Sequence, residues 1–283
     1  MPIIVENLTH TYQPGTANAH VAVDNISLTI NEGEFFGIIG HTGSGKSTFI
    51  QHLNGLVQPT SGRVLVDGYD MSEKKQRVKG RALVGMVFQY PDYQLFDSTV
   101  LDDVAFGPKN LGQSPDEAKA SAAAAMETVG LDPAVFGDKS PFELSGGEKR
   151  RAALAGIIAM RPKYLVLDEP MAGLDPSGRR DVIDTIEKLR SELGCTVIMV
   201  SHSMEDVARS AQRIAVLNEG RLYALGAPEE IFSKTEELLD MGLDAPQTAR
   251  LVRELRKRGC SVPDNIYTNE QFTAWFKGVM THV

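Results

Sequence analysis

The chain has 283 residues, 42 % apolar and 23 % charged, with 29 basic against 37 acidic side chains and a formal net charge of −8. That length holds one large domain or two modest ones, and the composition argues against disorder or a need for disulfide staples. An acidic chain repels phosphate, so no nucleic-acid partner is expected. Cys195 and Cys260 lie far apart without metal-ligand spacing, which fits a reduced, cytosolic setting. No apolar run reaches the roughly 18 residues needed to cross a bilayer, and the Met1–Glu6 start lacks a basic segment before an apolar one. Any membrane role is therefore expected to be peripheral.

Short apolar runs alternate with amphipathic ones, the pattern of an α/β domain. Strands are expected at Ile3–Leu8, Ile26–Ile30, Phe35–Ile39, Arg63–Val66, Leu83–Phe88, Tyr164–Leu167, Thr196–Val200, Ile214–Asn218 and Arg221–Ala224. The runs beginning at Tyr164 and Thr196 show no polar alternation, so both faces of those strands should be covered. Helices are expected at Lys46–Asn54, Pro115–Val129, Gly146–Met160, Ser177–Leu193 and Met204–Ser210, with breaks at Pro59–Gly62, Gly107–Pro115 and Gly194. Residues 90–145 carry no convincing strand and read as a helical insertion. The basic run Lys74, Lys75, Arg77, Lys79 and Arg81 reads as a solvated loop. After Pro228 the pattern is helical only, with Asp244 as an N-cap, Pro246 in a first turn, Gly259 as a stop, and Leu251, Val252 and Leu255 as one apolar stripe.

Three segments carry chemistry. Gly40-His41-Thr42-Gly43-Ser44-Gly45-Lys46-Ser47, followed by Thr48, fits the phosphate-binding G-x-x-x-x-G-K-[ST] loop between a strand and a helix. Its glycines let backbone N–H groups face phosphates at a helix N-terminus. Lys46 is suited to the β- and γ-phosphates and the Ser47 hydroxyl to Mg²⁺. The strand at Tyr164 ends in Asp168-Glu169 at a sheet edge where ligands bind. There Asp168 is suited to the Mg²⁺ shell and Glu169 to polarising an attacking water. Leu144-Ser145-Gly146-Gly147-Glu148 supplies a second glycine-rich helix start. By itself it reads more readily as an N-capped helix, with Ser145 and Glu148 forming a capping box. Scattered His10, His20, His41 and His52 show no ligand spacing, and Trp275 and Phe276 read as core or interface anchors.

In this order the segments resemble an ATP-binding cassette (ABC) ATPase across about residues 3–232. Gln89 matches the Q-loop glutamine, Ala172-Gly173-Leu174-Asp175 the D-loop, His202 the switch histidine and Tyr12 the aromatic that stacks on adenine. The resemblance implies an α/β P-loop NTPase (RecA-like) core with an antiparallel β subdomain and a helical signature subdomain at about 90–150. It also implies a small helical domain at 233–283, expected to dimerise, beyond an ATPase domain at 1–232. ATP and Mg²⁺ are the implied cofactors, with Ser47, Gln89 and Asp168 toward the metal and Glu169, His202 and Gln89 toward hydrolysis. Two cassettes pair head to tail in such proteins, so Ser145, Gly146, Gly147, Glu148 and Asp175 would meet the ATP held by the other cassette.

The segment Phe88–Phe96 and the tail Gly242–Gly259 resemble cobalt-type and energy-coupling factor (ECF) ATPases, which energise vitamin and metal-ion uptake. Tyr90 and Arg150-Arg151 look like the second of the two ECF paralogues. Glu148, Ala172 and Met171 depart from the commonest Gln, Ser and Thr. The implied partners are a second cassette, identical or paralogous, an integral membrane coupling subunit and a small substrate-binding membrane subunit, at the cytoplasmic face of the membrane. Tyr93, Leu95 and Phe96 are expected to form the docking groove. The runner-up is the ATPase of an importer fed by a soluble binding protein. A non-hydrolysing regulatory module fits less well, because Glu169 and His202 are both present. About one hundred residues without heptads between Gly40 and Ser145 argue against a chromosome-maintenance ATPase.

Overall fold

A computed structural model describes every residue except Tyr90, Asp264 and 281–283, so the reading of Tyr90 lies outside the described residues. In chain order the elements are β1 (Ile3–Tyr12), β2 (His20–Ile30), β3 (Phe35–Ile39), α1 (Lys46–Leu53), β4 (Ser61–Val66), β5 (Tyr69–Asp70), α2 (Lys74–Ala82) and β6 (Val84–Val87). Then come α3 (Val100–Asn110), α4 (Pro115–Thr128), α5 (Pro133–Phe136), α6 (Gly146–Ile158), β7 (Tyr164–Asp168), α7 (Pro176–Leu193), β8 (Thr196–Val200) and α8 (Met204–Ser210). The chain continues through β9 (Arg213–Asn218), β10 (Arg221–Gly226), α9 (Pro228–Phe232), α10 (Thr235–Asp240), α11 (Gln247–Lys257) and α12 (Asn269–Met280).

Two sheets carry the site. A four-stranded antiparallel sheet runs β2-β1-β4-β5, and a six-stranded sheet runs β10-β9-β3-β8-β7-β6. In the larger sheet β9, β3, β8, β7 and β6 are parallel, and β10 closes the edge antiparallel to β9. β3, β7 and β8 are buried along their whole lengths, as their unbroken apolar runs require. Because β3, β8 and β7 are adjacent and parallel, their C-terminal ends open side by side, and the loop after each meets the others there.

The insertion between β6 and β7 is helical. Small residues of α4, Ala118, Ala122 and Ala125, are buried, and α4 packs against α3, α5 and α6. A Ser114–Glu117 capping box starts α4, and the Thr99 side chain caps α3. α3 runs through the expected break at Gly107-Pro108. A Cβ on Gly107 would lie 2.7 Å from Met160, so the glycine serves close packing beyond the end of α6.

Residues 74–82 form α2 rather than a solvated loop. Arg81 turns back onto carbonyls beyond α1: its Nη2 donates to Gly55 at 2.6 Å and its Nε to Asn54 at 3.2 Å. In the tail the N-cap position of α11 falls on Pro246 rather than Asp244. The Asp244 carboxylate instead accepts from the Ala245 amide at 2.8 Å. Leu251 is exposed, so the stripe expected with Val252 and Leu255 loses its first member. Val252, Val262 and Ile266 form a small cluster with Leu255, Phe272 and Trp275, while Phe276 stays half exposed.

Candidate nucleotide site

The phosphate loop is a shape that only glycine permits. Gly45 sits at φ +96, where a Cβ would fall 2.3 Å from the Ala22 carbonyl oxygen. A Cβ on Gly40 would lie 2.4 Å from Ser44 Oγ and 2.5 Å from the Leu217 carbonyl. Inside the loop Lys46 is buried and Nζ donates to the carbonyls of Gly40 and His41, at 2.7 and 3.0 Å. Burial pushes its pKa down, while Glu169 and then Asp168 oppose that shift. The Ser44 hydroxyl is buried without a hydrogen-bond partner. His41 does more than lend its backbone: Nε2 lies 3.1 Å from Asn218 Oδ1, which ties the loop to β9.

Asp168 and Glu169 leave the end of β7 into this loop. Asp168 is buried, which raises its pKa, and it accepts a hydrogen bond from the Ser47 side chain. Glu169 stands at φ 51, a left-handed conformation uncommon for a residue with a side chain. Three hydrogen bonds hold it there. Its amide donates to Val200 at 3.0 Å, its carbonyl accepts from Ala172 at 3.1 Å, and Oε2 accepts from the His202 amide at 3.2 Å. Burial raises its pKa. His202 Nε2 lies 3.3 Å from Glu169 Oε1 without hydrogen-bond alignment, so Oε1 is buried and unpartnered. Burial and then the Lys46 charge lower the His202 pKa.

A cleft of about 330 Å³ gathers these groups; Tyr12, Lys46, Ser47, Gln89, Asp168 and Glu169 are among its walls. Tyr12 is half exposed at its mouth, its hydroxyl 3.2 Å from Thr48 Oγ1. Gln89 and His202 border both this cleft and a neighbouring one of about 380 Å³. The oxygen donors suit a hard cation: the Ser47 hydroxyl and Asp168 carboxylate are already paired, and Glu169 Oε1 is unspent. Among the described residues no cluster of three or more His, Cys, Asp or Glu could cage a metal. Mg²⁺ suits such a sparse set, because it takes one or two protein oxygens with the phosphates and water.

The 145–148 segment lies elsewhere; none of its residues lines the cleft. Ser145 caps α6 in the expected capping box, its amide and hydroxyl each 2.7 Å from Glu148 Oε2, and Ser145, Gly146 and Gly147 are exposed. Asp175 caps α7 by accepting from the Gly178 amide at 2.8 Å. His20 and Ala22 also line the cleft, which no sequence spacing signals, because β2 reaches it only through tertiary packing.

A glycine cradle, an anchored lysine, a buried Asp168 and a partly buried Glu169 at one sheet edge define a P-loop nucleotide-binding cassette. The ABC transporter family matches residues 23–172. The energy-coupling factor transporter ATP-binding protein EcfA2 of Symbiobacterium thermophilum is 52 % identical over 281 residues, covering 99 % of this chain and 97 % of the relative. EcfA2 of Clostridium perfringens is 52 % identical over 96 % of this chain and 95 % of its own length. Among solved structures, cbiO1 of Clostridium perfringens, part of the ABC transporter complex cbiONQ, matches with TM-score 0.74 and 36 % identity over 89 % of this chain and 98 % of that one. A dimeric ATP-binding cassette bound to ADP and Pi matches with TM-score 0.72 and 29 % identity over 80 % of this chain and 98 % of that one. This chain belongs to the ABC transporter family, among its energy-coupling factor ATP-binding proteins, and is an ATPase subunit coupled to transport.

Proposed function

We propose that this chain hydrolyses MgATP to drive uptake of a vitamin or transition-metal ion through ECF-type membrane partners. The observation that carries the site assignment is the single cleft joining Lys46, Ser47, Asp168, Glu169, Gln89 and His202. Lys46 exchanges its loop carbonyls for the β- and γ-phosphates, and Tyr12 offers its ring to the adenine. Ser47, Asp168 and Gln89 would hold Mg²⁺, which when bound neutralises charge on the phosphates. Glu169, held in place by β8 and the His202 amide, orients the attacking water, and His202 faces the γ-phosphate.

The exposed Ser145–Gly147 start serves the ATP of a second, paralogous or identical cassette, placed head to tail. The chain then works as an ATPase domain at 1–232, with its helical subdomain at 90–150, and a dimerising domain at 233–283. No helix among the described residues is long and apolar enough to cross a membrane. We therefore place the chain peripherally, at the cytoplasmic face. An apolar groove of about 440 Å³, lined by Leu95, Phe96, Phe106 and Met160, is the proposed seat for a membrane subunit's cytosolic helix. Tyr93 is 88 % exposed beside it and is not part of its wall.

Glu169→Gln and Lys46→Ala separate chemistry from binding. The first should keep ATP affinity and lose phosphate release, and the second should lose affinity itself. Equal loss of affinity in both would remove Glu169 from the water-orienting role.

A further inference from the structure

We propose that Arg150 is a positioning residue that ties the exposed start of α6 to the turn carrying Glu169. The inference rests on the head-to-tail reading given above. Arg150 lies on α6, five residues after Ser145, and its Nη2 donates to the Ala172 carbonyl at 3.1 Å. The Ala172 amide in turn donates to the Glu169 carbonyl at 3.1 Å, and the Leu174 amide to Met171 at 3.2 Å. The turn 169–174 is thus held from two sides. β8 and the His202 amide grip it at Glu169, and Arg150 grips it at Ala172 from the helical layer.

The remainder of the guanidinium fits a lever better than a permanent anchor. Arg150 Nε and Nη1 are buried without partners. Arg150 is among the residues lining a small cavity of about 80 Å³ between α6 and α7, as is Asp181 on α7. A fixed structural arginine would spend those donors, since a buried unpaired N–H costs about 1–3 kcal/mol. A cavity at the joint leaves room for α6 to shift against α7, and Asp181 on its lining is an acceptor that such a shift could bring to the spare donors.

An α-helix moves as one body over five residues. Anion engagement at Ser145–Gly147 therefore displaces Arg150, and through Ala172 it moves the backbone of Glu169. By this route the occupancy of one nucleotide site sets the placement of the water-orienting carboxylate in the other. Nucleotide affinity in the chain's own cleft is untouched, because Arg150 does not line it.

The test uses the full-length chain in its assembled transporter. Arg150→Ala should lower kcat roughly tenfold with KM for ATP little changed, and should flatten the dependence of rate on ATP toward a Hill coefficient of one. Arg150→Lys, whose ammonium can reach the same carbonyl, should restore much of both. Wild-type kcat and cooperativity in Arg150→Ala would overturn the proposal. A parallel fall in melting temperature and ATP affinity, unrescued by lysine, would do so as well, since a merely structural role predicts that. Gly146→Asp in the same complex keeps the two readings apart. If it leaves hydrolysis intact, the head-to-tail reading fails. If it stops hydrolysis while Arg150→Ala does not slow it, only the tie fails.

Discussion

His52 shows how one buried side chain sets a response to pH. It is 1 % exposed at the end of α1, with Nδ1 2.7 Å from the Thr48 carbonyl and Nε2 unpartnered. His10 is almost as buried, its ring centroid 4.9 Å from that of His52, and its Nδ1 lies 3.0 Å from the Gln58 carbonyl. Burial, with a smaller contribution from His10, holds the His52 pKa below the ordinary histidine value; the Thr48 and Gln58 carbonyls oppose that shift. A lowered histidine pKa means the unfolded chain takes the proton first. Its stability contribution is therefore whole above about pH 6.5 and is lost as pH falls toward the folded value. Urea midpoints measured from pH 8 to pH 5 should fall in the native chain and fall less in His52→Gln. Equal slopes would mean that His52 is not the group responsible. Nothing in their spacing signals that these two histidines meet; β1 and α1 bring them together.

At the scale of elements, legibility follows from how local the cause is. β3, the phosphate loop and α1 could be read directly, because glycine spacing, an apolar run and a helix start adjoin in sequence. The capping box at Ser145 is equally local. α2 was hidden because it buries only Gly80 and shows no apolar stripe. α3 was hidden because Gly107-Pro108 looks like a stop, whereas packing near Met160 favours the glycine. The groove beside α3 depends on contacts among separate segments, and only Leu95 and Phe96 of the expected trio line it. Phe96 meets Phe106 edge to face, centroids 4.9 Å apart, and is itself 59 % exposed. A carboxylate there would face an apolar helix without a partner. Phe96→Glu should therefore stop co-purification with the membrane subunits while the isolated chain stays folded and binds ATP. Undiminished assembly would place docking on another surface.

At the scale of the whole molecule, the fold separates two glycine-rich helix starts. One begins α1 and closes on the cleft with Lys46, and the other begins α6, exposed and outside that cleft. In the head-to-tail arrangement proposed above, the second start meets the nucleotide held by another cassette; a solved structure similar to this chain is a dimer bound to ADP and Pi. Gly146 has nothing within 4 Å of where a Cβ would stand, so a side chain fits there without disturbing the folded chain. Gly146→Asp would set a carboxylate against the incoming γ-phosphate of the other cassette. The decisive measurement is ATP affinity of the isolated chain beside ATP hydrolysis by the assembled transporter, native against Gly146→Asp. The two-cassette account predicts unchanged affinity and hydrolysis reduced about a hundredfold or more. A large loss of affinity in the isolated chain, or hydrolysis that continues unimpaired, would contradict it.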